Sequence, residues 1–178
     1  MSWDPVHDIR RTFRALLDAQ CDPGAPQRLP EPHSKEASWC AVLATLLDEG
    51  APTAVLSADA QVSECLTEVG APLTELSDAE FVVTDQASAA DLAAVPTGTA
   101  LNPELGATVL IDAADGTLCS LGGPGIPEPV IRDVPINPRV LEVRNEACAD
   151  YPRGFDLVIV GAGSIWAIPR STRIREVG

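Results

Sequence analysis

The sequence predicts an α/β fold: a single domain over residues 1–178, with a mixed sheet flanked by helices. Three observations carry this. Stretches with a helical apolar period alternate with apolar runs of strand length. Some of the separators are long enough for a crossover helix and others only for a turn, which implies parallel pairs together with at least two hairpins. A chain of 178 residues that is 46% hydrophobic can build a proper core, and with only 4% aromatics that core is made of Ala, Val, Leu and Ile.

The elements follow in order. Asp4 can cap a first helix with Pro5 at its first position and an apolar stripe of Val6, Ile9, Phe13, Leu16 and Leu17, stopped by Pro23-Gly24. A proline-rich connection through Gln27 and Pro32 leads to Ser34, the expected cap of a second helix with Trp39, Val42, Leu43, Leu46 and Leu47 inside and Gly50 at its end. Thr53–Ser57 reads as a buried strand, Ala58–Val69 as a helix capped by Ser57, and Glu80–Asp85 as the next strand. Ser88–Val95 is a short helix. Ala107–Asp112 and Thr117–Leu121 read as a hairpin about Asp115-Gly116, and Gly122–Pro135 as a Gly/Pro loop. Asn137-Pro138 starts a helix with Val140, Leu141 and Val143 inside. The sixteen prolines lie between elements, and there is no internal repeat.

The last strand region, DLVIVGAGSIWAIPRST, contains a VIVGAG core similar to the phosphate-gripping turn of dinucleotide-binding folds. That fingerprint needs a third glycine and a following helix, but Trp166 occupies the glycine position and Pro169 would break the helix. The stretch is therefore a hairpin: Leu157–Val160 out, GAGS turning, Ile165–Ile168 back, with glycines where the turn needs positive φ. GGPG at Gly122–Gly125 lacks the GK[ST] of a phosphate loop, and no GxSxG occurs. His7 and His33, the only histidines, have no acid or cysteine at a metal-binding spacing and read as a helix-surface and a loop residue. Lys35 is the only lysine, so Schiff-base chemistry would rest on a residue at a helix start.

The formal charge of −14 argues against general affinity for nucleic acid or anionic membrane. Arg170, Arg173 and Arg175 form the densest basic run, readable as a local basic patch or as charges that protect an edge strand. Cys21, Cys40, Cys65, Cys119 and Cys148 are odd in number and widely spaced, which reads as small buried hydrophobes in a reducing compartment. With no signal-peptide pattern and no long apolar run, the chain is expected to be cytoplasmic. For ligand binding, the candidates are Thr97, Gly98, Thr99 and Asn102, whose donors could face an anion, with Arg170 supplying a forked charge. The same segment also reads as a capped turn before a strand, opened by Asn102-Pro103 and closed by Gly106.

Taken in order, FRALLDAQCDPG, FVVTDQ, PTGTALNPELGATVLI, LGGPGI and PRGFDLVIVGAGSIWAIPRST resemble the H subunit of the carbon-phosphorus lyase machinery, the PhnH family, from about Phe13 to Val177. This chain departs in being lysine-poor and richer in alanine and proline, and its Gly70–Glu80 segment carries no family signal. The resemblance implies a fold similar to the large domain of pyridoxal-phosphate-dependent transferases but without the cofactor; with Lys35 alone, no ordinary pyridoxal site is expected from the residues either. It implies a homodimer when isolated and, with partner subunits G, I and J, a core complex of phosphonate catabolism. That complex transfers a phosphonate to the ribose of ATP with displacement of adenine, before a radical step on another subunit. No catalytic residue, cofactor or metal is implied for this chain.

Overall fold

The computed structural model describes residues 5–30, 34–85 and 88–177. Asp4, Pro32, His33 and the Val6 side chain, which the sequence reading used, lie outside the described part. Helix α1 (Pro5–Cys21) leads to a two-residue strand β1 (Gln27–Arg28), then α2 (Lys35–Leu46), β2 (Thr53–Ser57), α3 (Ala60–Val69), β3 (Phe81–Thr84) and α4 (Ala89–Ala93). A 3-10 turn (Pro103–Leu105) precedes β4 (Thr108–Asp112); β5 (Thr117–Gly123), β6 (Ile126–Val134), α5 (Pro138–Ala147), β7 (Asp156–Gly161), β8 (Ser164–Ile168) and β9 (Arg173–Glu176) complete the chain.

Six strands form a mixed sheet in the order β1-β8-β7-β4-β3-β2, in which β2, β3, β4 and β7 run parallel and β8 and β1 add on antiparallel. Side chains alternate along these strands. Val109, Ile111, Leu157 and Ile159 enter the core shared with α4 and α5, whereas Leu110, Val158 and Val160 enter the core shared with α1, α2 and α3. Strands covered on both faces must be apolar at consecutive positions, which is why LVIV carries no polar alternation. The VIVGAG hairpin forms as expected, with Gly161 paired to Ser164 and Gly163 at φ 73°. Gly161 does not take positive φ; a methyl there would meet the Trp166 ring at 3.0 Å, so the ring would have to give by a few tenths of an ångström.

The expected hairpin of Ala107–Asp112 with Thr117–Leu121 does not form. Both edges of β4 are taken by β3 and β7, so β5 leaves the main sheet and pairs with β6 and β9 in a second, antiparallel sheet of order β6-β5-β9. The Gly122–Pro135 segment is correspondingly a strand rather than a loop, joined to β5 by a Pro124-Gly125 turn with Gly125 at φ 82°. Pro127 and Pro129 are tolerated because β6 is an edge strand and need not donate outward. β9 is the other edge, so Arg173 and Arg175 do sit on an unpaired flank.

Smaller corrections share a physical logic. α3 starts at Ala60, capped by Asp59, whose carboxylate accepts from Gln61 and Val62 amides at 2.9 and 2.8 Å and so outcompetes Ser57. α2 ends at Leu46, short of Gly50. The buried face of α1 holds Asp8, Thr12, Ala15, Leu16 and Ala19, leaving Phe13 and Leu17 about half exposed. The alanines leave room for the helix to lie close on β8, which large side chains there would prevent.

The cysteines are not all free. Cys40 on α2 and Cys65 on α3 are bonded, with Cα atoms 5.4 Å apart, and Cys21 is exposed rather than buried. Alkylation of the denatured, unreduced protein should therefore label three thiols, rising to five after reduction. Five without reductant would remove the bond between these helices.

Candidate functional site

The sequence-predicted site residues come together in one knot. Gly98 takes φ 66° to reverse the chain, the Thr99 amide donates to the Asn102 carbonyl at 3.1 Å, and the Asn102 amide donates to Thr99 Oγ1 at 2.9 Å. Thr97 pairs with Gly106 across the turn and accepts from the Gly154 amide at 2.8 Å. The 3-10 turn opens at Asn102-Pro103 and closes at Gly106.

Arg170 reaches this turn from the far side. Its Nε and Nη2 hold Asp156 Oδ2 at 3.0 and 2.6 Å, Nη1 donates to the Pro103 carbonyl at 2.5 Å, and Nη2 also donates to the Gly106 carbonyl at 3.0 Å. The guanidinium has five N–H groups. Four are thus spent inside the protein, binding the turn to β7, and one on Nη1 has no partner among the described residues.

A larger feature adjoins the knot. Between α5 and the segment from Arg170 to Arg175 lies a cleft of about 690 Å³, lined by Arg144, Arg170, Arg173 and Arg175 together with Asn145 and Tyr151. Asn137 caps α5 by accepting from the Arg139 amide at 2.9 Å, and Val140 and Leu141 bury one face. Arg144 falls on that face and is 1% exposed. Its Nη1 donates to the Thr172 carbonyl at 2.7 Å and its Nη2 to the Pro169 carbonyl at 2.5 Å, while Nε is buried with no partner among the described residues. Asn145 Nδ2 donates to the Ile174 carbonyl at 2.8 Å, so two consecutive residues of α5 fix the opposite wall. Burial pushes the Arg144 pKa down, opposed by Cys148 and Asp156; an arginine nevertheless stays charged.

A second polar cluster sits at the carboxyl end of the parallel strands. The connection after β2 crosses one face through α3, and the connection after β3 crosses the other through α4, so the two diverge where open α/β sheets hold ligands. Ser57 and Thr84 meet there, hydroxyl to hydroxyl, at 2.9 Å. On the neighbouring strand, Asp112 Oδ2 accepts from Lys35 Nζ at 2.7 Å and Oδ1 from the Trp39 indole at 2.5 Å. Lys35 and Trp39 are one helical turn apart on α2, whose Ser38 also accepts from the Gly163 amide at 2.9 Å.

The hydrogen bond to Asp112 holds the Lys35 ammonium above its ordinary 10.5, against the lowering effect of partial burial. A protonated lysine is no nucleophile. A pKa raised by folding contributes stability in full below 10.5 and loses it as pH rises through the raised value. Asp112→Asn removes this contribution but keeps an acceptor for the indole. Denaturant titrations should show wild type more stable than the variant at neutral pH, with the gap closing above pH 10.5. A gap that widens there would overturn the pairing.

Residues 2–175 match the model of a family described as bacterial phosphonate metabolism protein (PhnH). A protein of Stutzerimonas stutzeri named as C-P lyase subunit HtxG is 33% identical over 171 residues, covering 93% of this chain and 85% of that protein. A Rhizobium meliloti (strain 1021) protein named alpha-D-ribose 1-methylphosphonate 5-triphosphate synthase subunit PhnH is 29% identical over 192 residues, covering 97% of this chain and 93% of its own length.

Proposed function

Since the chain belongs to the PhnH family of bacterial phosphonate metabolism proteins, we propose that it is a carbon-phosphorus lyase subunit acting by assembly rather than by chemistry of its own. The observation that carries the subunit reading is a family match running over residues 2–175, with relatives named as C-P lyase or synthase subunits aligned along 85% and 93% of their own length. In this reading the chain is cytoplasmic, a homodimer alone, and joins the G, I and J subunits in the core complex. That complex transfers a phosphonate to the ribose of ATP and displaces adenine. The mixed sheet is then an architecture similar to the large domain of pyridoxal-phosphate-dependent transferases, with its single lysine held on Asp112.

Assembly needs a docking face, and Phe13 and Leu17, 49% and 46% exposed on α1, are the first side chains to replace. Native mass spectrometry after co-expression with the G, I and J subunits of the same organism tests the reading. A stoichiometric complex, weakened in Phe13→Asp or in a variant at another exposed apolar position, supports it; a chain that stays alone removes its basis.

In a second reading the chain itself holds a phosphate or phosphonate at the TGT turn, through Thr97, Gly98, Thr99, Asn102 and Arg170. What favours it is that one Arg170 N–H has no partner among the described residues and that Arg170 borders a further cavity of about 270 Å³ beside Pro103 and Tyr151. Calorimetry with methylphosphonate and ATP, on wild type and Thr99→Val, tests it; heat unchanged by that substitution would count against this site.

A further inference from the structure

Helix α3 is held to the rest of the molecule by few side chains. Of its ten residues only Val62, Cys65 and Leu66 are buried. It follows β2, the outermost strand of the six-stranded sheet, and ends at Gly70, whose surroundings are open. By contrast, α2 buries Ser38, Trp39, Ala41, Val42 and Leu43, and its Trp39 indole donates to Asp112 on β4, inside the sheet. The Cys40–Cys65 bond therefore ties a weakly anchored helix to a firmly anchored one. Its two cysteines are 25 residues apart in sequence, and the loop they close contains β2.

The bond is also within reach of solvent. A groove of about 630 Å³ runs between α2 and α3, and both cysteines line it beside Ala41 and Ala44, whose side chains are short. Cys40 is half-buried whereas Cys65 is only 8% exposed, so an entering thiolate meets the Cys40 sulfur first. Asp48, Glu49 and Glu68 stand along the groove, and no basic side chain among the described residues does. A thiolate is an anion and approaches against that charge, an opposition that salt screens. The packing itself does not need the bond. Cys65 lies in the apolar cluster of Trp39, Val62 and Leu66, a place that a protonated thiol fills as a small hydrophobe.

We infer that Cys40–Cys65 is a thiol–disulfide exchange site, opened through this groove by dithiol reductants, and that opening it releases α3 while the sheet stays folded. One thiolate of the dithiol attacks Cys40 Sγ, the Cys40–Cys65 bond breaks, and Cys65 leaves as a thiolate that takes a proton from water. The second thiol of the reductant, deprotonated, then displaces Cys40 from the mixed disulfide, and Cys40 takes up a proton in turn. The protein gains two thiols, and the dithiol, having given up two protons and two electrons, becomes its own disulfide. With the bond gone, α3 keeps only Val62, Leu66 and the Cys65 side chain as contacts, and opens locally at a free energy below that of the whole fold. The inference depends on neither the subunit reading nor a bound ligand.

Hydrogen–deuterium exchange of the isolated full-length chain, before and after dithiothreitol, tests the release. Amides of Ala60–Val69 should exchange at least about tenfold faster after reduction, a small part of what closing a loop of this length can contribute, while amides of β3, β4 and β7 keep their protection. Cys40→Ser should show the fast α3 exchange with or without dithiothreitol, and Cys65→Ala, which removes the bond from the other end, should match it. The route is read from the rate of reduction. In low salt, Asp48→Asn/Glu68→Gln should be reduced by dithiothreitol about threefold faster than wild type, with the gain shrinking in high salt. Glu142→Gln/Asp150→Asn makes the same change in net charge around α5, on the other face of the sheet, and should leave the rate unchanged. Equal rates in the two double variants, α3 exchange unchanged by reduction, or a bond that dithiothreitol leaves intact in the folded chain overturns the proposal. So does loss of protection throughout the sheet, which would make the bond a staple of the whole fold.

Discussion

Trp39→Ala is expected to lower the free energy of unfolding by about 4 kcal/mol, in the range of large aromatic truncations in a core. The side chain is wholly buried among Leu43, Val158, Val160 and Ile165, where α2 meets the sheet. It is also polar at one end, giving its indole proton to Asp112 at 2.5 Å. Truncation thus opens a cavity and leaves a carboxylate oxygen without its donor. Trp39→Phe separates the two effects, because it keeps most of the apolar area and loses only the N–H; its cost should be about 1–2 kcal/mol. Urea denaturation of both variants decides the point. If phenylalanine costs as much as alanine, the hydrogen bond rather than the packing anchors α2.

What the sequence disclosed about this region was local. The Trp39, Val42, Leu43 stripe and the Ser34 cap are consequences of spacing within one helix, and both are present. So are the Asn137-Pro138 helix start and the return of the chain after Gly163, since a cap or a two-residue turn depends on neighbours in sequence. The bond from Trp39 to Asp112 spans 73 residues and has no local signal.

The misread segments fail for the same reason. Ala107–Asp112 and Thr117–Leu121 are correct as strands; which edge each would find free depends on β3 and β7, far away in the chain. The prolines in Ile126–Val134 mark a loop or an edge strand equally well until the sheet order is known. In the candidate site, the turn residues and Arg170 were legible as a polar cluster, whereas the direction of the Arg170 fork toward Asp156 was not. Arg144 did leave a trace. It lies three and four positions after Leu141 and Val140, on the face they bury, and a basic residue on an apolar stripe is a signal that a helical projection exposes.

Gly106→Ala is expected to cost about 3 kcal/mol, at the upper end of overpacking effects. The position has an ordinary extended backbone at φ −77°, so no conformational strain is involved and the cost is contact alone. A methyl there would lie 2.3 Å from the Gly154 carbonyl oxygen and 2.4 Å from Arg170 Nη1. The Gly154 carbonyl cannot retreat cheaply, because its residue's amide is bonded to Thr97 at 2.8 Å. The guanidinium is fixed by Asp156 and by the Pro103 and Gly106 carbonyls. Gly70→Ala is the control: Gly70 has φ 74° with nothing within 4 Å, so it meets only the backbone penalty of about 1 kcal/mol. If the two variants prove equally stable in denaturant, the turn yields easily, and Arg170 is then free to leave it for a ligand. If Gly106→Ala is the worse by about 2 kcal/mol, the difference between the two expected costs, the knot is rigid. Arg170 is then a positioning residue that holds the start of β7 to the turn.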